Sequence, residues 1–462
     1  MKYYKYSFIL TVFCSLFLSG CDKYLNIAPK GKTLLTTVSN YDQWLNDPML
    51  DLGPVGLPGG SSGYCTLNYF GDNVDYPSVN VPAINYGDFT YTWASQFSTD
   101  LNASPLFWSD HYAKMNKYNT LLLGIDNATN GTVQQRKSLK AEALLGRALE
   151  YFYLVNEYGN AYDSTTADKD LAVPFVTSND VTQKVPTRST VKEVYDHIIS
   201  DLNAAIPDLP LDNSANRFRG SVAAAYSVLA RVYFYAGDYE DAKANAVLAL
   251  AKGKATMMNF NGTLPTTSLL SIQSDVIYGR RVIGSNTPTL DFMRSFTIND
   301  LRVKKLYTST DNYTFSVRGA TLFFPNNITP GLLYVNTGTS IQEMKLIIAE
   351  AAARSGDLTT ALQQLDDIRT NRIQASSYVK FQSNNQASVL QAVLGERSNE
   401  LPFSGLRWFD MRRLDKEGKM NTVYRYDANG NVIATLAPHS PRYTLQIPIQ
   451  VLAFNPNMQQ NP

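Results

Sequence analysis

A chain of 462 residues is long enough to bury a large core and to divide into two or three lobes. Its 41 Lys plus Arg against 40 Asp plus Glu leave a formal charge of +1, which offers no global field for nucleic acid or an anionic membrane surface. Charged residues make up only 18% while aromatics reach 12%, so much of the surface is neutral and polar and suits a neutral polar ligand better than an ionic one.

Residues 1–20 read as a lipoprotein signal peptide. Lys2 and Lys5 precede an apolar run from Phe8 to Leu18 that is too short to span a bilayer as a mature helix. The run ends in Leu18-Ser19-Gly20-Cys21, which resembles a bacterial lipobox whose cysteine is acylated and becomes the mature N-terminus. With Cys14 removed and Cys21 lipidated, Cys65 stands alone, so no intramolecular disulfide is expected and stability rests on packing.

Residues 21–50 form a lipidated tether and N-terminal segment with a Pro-interrupted LNIAPKG start. The region 51–260 opens with a Gly- and Pro-rich loop block, 51–106, in which aromatics alternate with Asp, Asn and Ser. Such a long block without clear periodicity is unusual unless it is functional. Helical periodicity begins near Pro105 and places Leu145, Ala148, Leu149 and Phe152 on one stripe. Helix resumes at VKEVYDHIISDLNAA, where Thr190 and Glu193 make a capping box.

Ser221 to Lys252 reads as two antiparallel helices joined at Gly237-Asp238. Tyr226, Leu229, Ala230 and Tyr233 share one face of the first, and Ala242, Ala246 and Ala249 line the second. This large-and-small pairing is that of a tetratricopeptide-type hairpin. It recurs at IQEMKLIIAEAAARSGDLTTALQQLDDIR, with Gly356-Asp357 in place of Gly237-Asp238 and Lys345 where Tyr226 stood. Between the two lies an irregular insertion, 261–340, and the region 341–462 ends in further helices and an extended tail.

Several separated segments resemble the SusD/RagB family of outer-membrane nutrient-binding lipoproteins. They are Cys21-Asp22-Lys23-Tyr24-Leu25 with Pro29, GRALEYFYLVNEYG from Gly146, SVAAAYSVLARVYFYAGDYEDA, EMKLIIAEAAARSGD from Glu343, ERSNELPFSGLRWFDMRRL from Glu396, and LQIPIQ with NPNMQQNP. Ser404 stands where the family usually has an acidic residue, and Asp22 follows the cysteine. The resemblance implies a mainly α fold. It has a tetratricopeptide-like body of about four helical-hairpin units, with irregular loop-rich insertions forming a ligand-binding lobe. It also implies a lipid-anchored outer-membrane protein facing the cell exterior. Such a protein binds a glycan and passes it to a SusC-like TonB-dependent transporter without cleaving it and without a cofactor. The alternatives are a structural lid of the transporter complex, with the ligand selected by another protein, and a glycoside hydrolase.

Catalytic signals are weak. His111, His197 and His439 lie far apart with no ligand spacing, so no metal site is expected, and no nucleophile elbow or phosphate loop follows a strand pattern. Glu396 and Glu400 share a helix face, but Arg397, Arg407, Arg412 and Arg413 offer ion-pair partners. Arg147, Arg231, Arg369 and Arg407 read as partners for buried carboxylates or carbonyls, and Trp108 and Trp408 as packing.

Glycan binding needs flat rings for the C–H face of a pyranose and amide or carboxylate groups for its hydroxyls. The first block supplies Tyr76, Tyr86, Tyr91 and Trp93 around Asp72, Asn73 and Asn85. The second supplies Tyr278, Phe296, Tyr307 and Tyr313 with Arg280, Asn299 and Asn312. The candidate ligand residues are therefore Asp72, Asn73, Tyr76, Tyr91, Trp93, Tyr278, Phe296, Tyr307 and Tyr313. Each aromatic could instead pack a loop onto the body.

Overall fold

The computed structural model describes residues 35–55, 66–264, 269–283, 286–308, 322–323 and 334–462. The signal segment, Cys21, Cys65, Asn312 and Tyr313 lie outside the described residues. Among those described, helices α1 (Val38–Leu45) and α2 (Tyr86–Tyr91) precede a long pair, α3 (Trp108–Gly124) and α4 (Val133–Tyr158). Then come α5 (Val191–Ala205), α6 (Val222–Ala236), α7 (Tyr239–Lys252), α8 (Leu290–Arg294) and α9 (Leu301–Leu306). The C-terminal part holds α10 (Ile341–Ser355), α11 (Leu358–Arg369), α12 (Gln386–Glu400), α13 (Arg407–Lys416) and α14 (Ile449–Phe454).

Each helix from α3 to α7 packs on the next, α10 lies against α7, and α10 carries α11 and α12. These eight helices are what four hairpin units supply, so the mainly α, tetratricopeptide-like fold is observed. The repeated Gly-Asp pair has a physical cause. Gly237 and Gly356 take left-handed backbone, with φ of +79° and +84°, and end α6 and α10. Asp238 and Asp357 then accept from the N–H of Asp241 and Thr360, which caps α7 and α11. One dipeptide closes one helix and opens its partner. Thr190 and Glu193 form the expected capping box on α5.

The expected one-sided stripe on α6 is corrected. The helix is buried nearly all round: of the four stripe residues Leu229 and Ala230 are buried, while Tyr226 and Tyr233 are only half-buried. Its core contacts come from Ala224, Ala225, Val228 and Ala230, all fully buried, because small side chains let the neighbouring helices close in. Across the body, Arg231 of α6 donates two hydrogen bonds to Glu343 of α10, at 2.7 and 2.6 Å, and so fastens the two hairpins to each other. The C-terminal tail is not confined to the surface: Leu445 and Ile447 are buried, and α14 follows them.

His111, one of the three histidines without ligand spacing, sits at the centre of a buried charged cluster between α3 and α4. Its Nδ1 lies 2.7 Å from Glu150 and its Nε2 3.2 Å from Glu157. Lys114 donates to Asp110 at 2.8 Å and to the carbonyls of Leu52 and Gly53.

The strands are short: β1 (Val74–Asp75), β2 (Leu171–Pro174), β3 (Arg188–Thr190), β4 (Val276–Tyr278), β5 (Arg281–Ile283), β6 (Thr287–Pro288), β7 (Tyr307–Thr308), β8 (Leu322–Phe323), β9 (Tyr334–Asn336), β10 (Thr339–Ser340), β11 (Val423–Tyr426) and β12 (Val432–Leu436). All pair antiparallel, two by two. One pairing matters most for the site. β1 of the first loop block pairs with β6 of the insertion, Val74 opposite Pro288 and Asp75 opposite Thr287, so the two irregular blocks meet.

Candidate ligand groove

A groove of about 1220 Å³ opens where the two blocks meet the C-terminal helices. One end is formed by Asp72, Val74, Asp75 and Tyr91, with Thr289 to Asp291 of the insertion beside them. Gln391, Leu394, Gly395 and Ser398 form a wall: they fall at i, i+3, i+4 and i+7 and therefore share one face of α12. Tyr424 and Tyr426 of β11 line the same space and are 50% and 40% exposed.

The alternation of β11 explains how those rings reach the groove. Side chains on a strand point to opposite faces in turn, so Tyr424 and Tyr426 face out while Arg425 between them is buried. Arg425 donates to the carbonyls of Tyr91 (2.9 Å), Val74 (3.2 Å), Tyr69 (2.8 Å) and Gly71 (2.8 Å). Its guanidinium also sits 4.5 Å from the Tyr91 ring centre and 4.2 Å from that of Trp93. Burial pushes it down to about 10, and among the described residues no carboxylate hydrogen-bonds to it. One buried side chain thus pins the hairpin to the first loop block. At the hairpin tip Asp427 accepts from the N–H of Asn429 and Asn431, and Gly430 takes φ +85°.

Most charges in the groove are paired. Arg407 grips Asp72 with two hydrogen bonds of 2.6 Å. Burial would raise the Asp72 carboxyl, but the Arg407 charge and its hydrogen bonds, with Arg425 beyond, hold it below the usual carboxylate range. Asp291 lies 3.6 Å from Arg294, Lys419 pairs with Glu417, and Asp75 accepts from the Tyr91 hydroxyl at 3.0 Å.

Of the residues expected from the sequence, the structure brings Asp72 and Tyr91 to the groove. Tyr76 is half-buried against Tyr69 and Tyr91, and Asn73 is buried, its Nδ2 without a hydrogen-bond partner among the described residues. Trp93 is buried beneath Arg425, its Nε1 donating to the Phe70 carbonyl at 3.1 Å. Tyr278 and Tyr307 are core residues of the insertion, and Phe296 packs between Phe292 and Tyr307; none of the three lines the groove. Packing consumed these rings because a loop laid over a helical body needs large apolar side chains as much as a ligand does. The sequence reading passed over Tyr424, Tyr426, Gln391 and Gly395. The hairpin signal was present in VYRY-DANGN-VIATL, β-branched and aromatic residues on both sides of an Asn-Gly turn.

Glu396 and Glu400, the candidate carboxylate pair, are held by Arg302, Arg369 and Arg372 and not by the arginines expected to pair with them. Arg397 and Arg413 pair with Asp410 instead, and Arg412 donates to the carbonyls of Asn156 and Gly159. Among the described residues, no group of three or more His, Cys, Asp or Glu could hold a metal ion.

Comparison with known proteins agrees with this architecture. Residues 24–234 match a SusD-like family model described as starch-binding and associating with the outer membrane, and residues 342–462 match the SusD family model. A SusD-like protein of Bacteroides ovatus is 25% identical over 235 residues, which are 47% of this chain and 37% of that relative's own length. The fold superimposes on a SusD superfamily protein from Bacteroides thetaiotaomicron with a TM-score of 0.74 at 19% identity, over 92% of this chain and 100% of the other. A SusD-like carbohydrate binding protein from Bacteroides vulgatus gives 0.68 at 20% identity, over 92% and 97%. Matched by SusD family models over residues 24–234 and 342–462, the chain belongs to the SusD/RagB family.

Proposed function

We propose that this chain captures a neutral glycan in the groove between β11 and α12 and hands it, uncleaved, to a SusC-like TonB-dependent transporter in the outer membrane. The observation that carries the reading is the pair of exposed tyrosines set beside the α12 wall in a groove most of whose charges are paired. Rings at Tyr424 and Tyr426 supply flat apolar faces, and Gln391, Ser398 and Asn421 supply hydrogen bonds to hydroxyls. Each such hydrogen bond replaces one to water and gains little net, so affinity per site is modest. Anchoring follows from acylation of Cys21, and the family's association with the outer membrane supports that location.

Affinity electrophoresis through gels containing starch, xylan, mixed-linkage glucan or galactomannan tests this reading. Wild type should be retarded by at least one of them, and Tyr424→Ala/Tyr426→Ala should weaken that retention at least roughly tenfold. No reducing ends should appear on incubation. Full retention by the double variant would remove the groove from the account. Time-dependent release of sugar would replace capture with hydrolysis.

A further inference from the structure

We infer that Gly395 keeps the α12 wall bare so that the glycan lies directly against the helix backbone, sandwiched opposite Tyr424 and Tyr426. The inference rests on the proposed glycan groove and names how that groove holds its ligand.

Gly395 occupies the interior of a 15-residue helix, Gln386–Glu400. Glycine there is unfavourable by about 1 kcal/mol relative to alanine, through the backbone entropy it loses on folding. A structural reason for it would be crowding or an unusual backbone angle, and neither exists. Among the described residues, a Cβ built on Gly395 meets nothing within 4 Å. Gly237, Gly356, Gly418 and Gly430 also face open space, but each has a positive φ, between +66° and +85°, that demands glycine. Gly146 is helical too, yet a Cβ there would strike the Tyr118 ring at 2.2 Å. Gly395 has neither justification.

Its position supplies one. Gly395 is exposed and lines the groove together with Gln391, Leu394 and Ser398. Without a side chain, this turn of α12 is a shallow saddle between Gln391 and Ser398, two polar groups that reach past it. Tyr424 and Tyr426, which line the same groove, stand on one face of β11, about 6.6 Å apart from the rise of a strand. Two rings at that spacing make a platform for two contiguous sugars. The occupant is therefore a neutral oligosaccharide of at least two pyranoses, one flat face on the tyrosines and the other against the glycine.

The test separates stability from binding in one pair of variants. Gly395→Ala should raise Tm by roughly 1–2 °C, since it gains helix propensity and meets no neighbour. The same variant should weaken binding to the retaining polysaccharide at least roughly fivefold, and Gly395→Leu should abolish it while leaving the fold intact by circular dichroism. A Gly395→Ala variant that is less stable than wild type would overturn the inference, because the glycine would then serve folding. So would a Gly395→Leu variant that binds as wild type does, with Tyr424→Ala/Tyr426→Ala still impaired; the groove reading would survive that result. Wild type retained by none of the polysaccharides would overturn the groove reading and this inference with it.

Discussion

Arg425→Met should lower stability by about 3–5 kcal/mol and abolish polysaccharide retention together. The substitution leaves the carbonyls of Tyr69, Gly71, Val74 and Tyr91 buried without their donor, and each such group costs about 1–3 kcal/mol in isolation. The costs do not simply add, because the loop relaxes once its clamp is gone. Relaxation is what destroys the site: Asp72, Asp75 and Tyr91 on one side and Tyr424 and Tyr426 on the other keep their relative positions through this one guanidinium. Arg425→Lys should recover part of the stability, since an ammonium can serve some but not all four carbonyls and lacks the planar face that stacks between Tyr91 and Trp93. Denaturant unfolding and affinity electrophoresis on the same samples check both effects. Wild-type retention by Arg425→Met would show that the hairpin is held in place by something else.

His111→Ala should be comparably costly, about 3–5 kcal/mol, because it leaves Glu150 and Glu157 buried beside Asp110 with Lys114 as the nearest counter-charge. Burial acts to lower the His111 imidazole, but the Glu157 charge and the hydrogen bonds from His111 to Glu150 and Glu157 push it up to about 10. The folded state therefore binds a proton that the unfolded chain releases near pH 6.5. The stabilisation is fully present below about pH 6.5 and is lost as pH rises toward 10. Unfolding midpoints measured between those limits should fall for wild type and stay flatter for His111→Gln. A wild-type midpoint that climbs over this window would contradict a charged His111.

The all-round burial of α6 and the buried cluster at His111 escaped the sequence for one physical reason. Gly237-Asp238, Gly356-Asp357, Thr190 and Glu193 were legible because capping and turn chemistry depend on neighbours a few positions away. His111 was not, because its partners lie 39 and 46 residues downstream on α4, and a helix buried on all sides gives no polar face to read. The site divides in the same way. Asp72 and Tyr91 were visible in a loop where aromatics alternate with acids, but the same composition marked Tyr278 and Tyr307, which the insertion spends on its own core. Arg407 was correctly read as a carboxylate's partner, though nothing local named Asp72 as that carboxylate. Tyr424 and Tyr426 carried a local signal, β-branched and aromatic residues running into an Asn-Gly turn. What the sequence could not supply was the β1–β6 pairing and the Arg425 clamp, which bring residues near 72, 290, 395 and 425 to one groove.

The most direct measurement is a crystal structure of the mature chain with an oligosaccharide from whichever polysaccharide retains it. The account predicts sugar rings stacked on Tyr424 and Tyr426 with the opposite face against Gly395, and an intact glycosidic bond. Density for the sugar elsewhere, for instance in the smaller pocket beside Trp93 and Arg442, with the β11–α12 groove left to solvent, would contradict it.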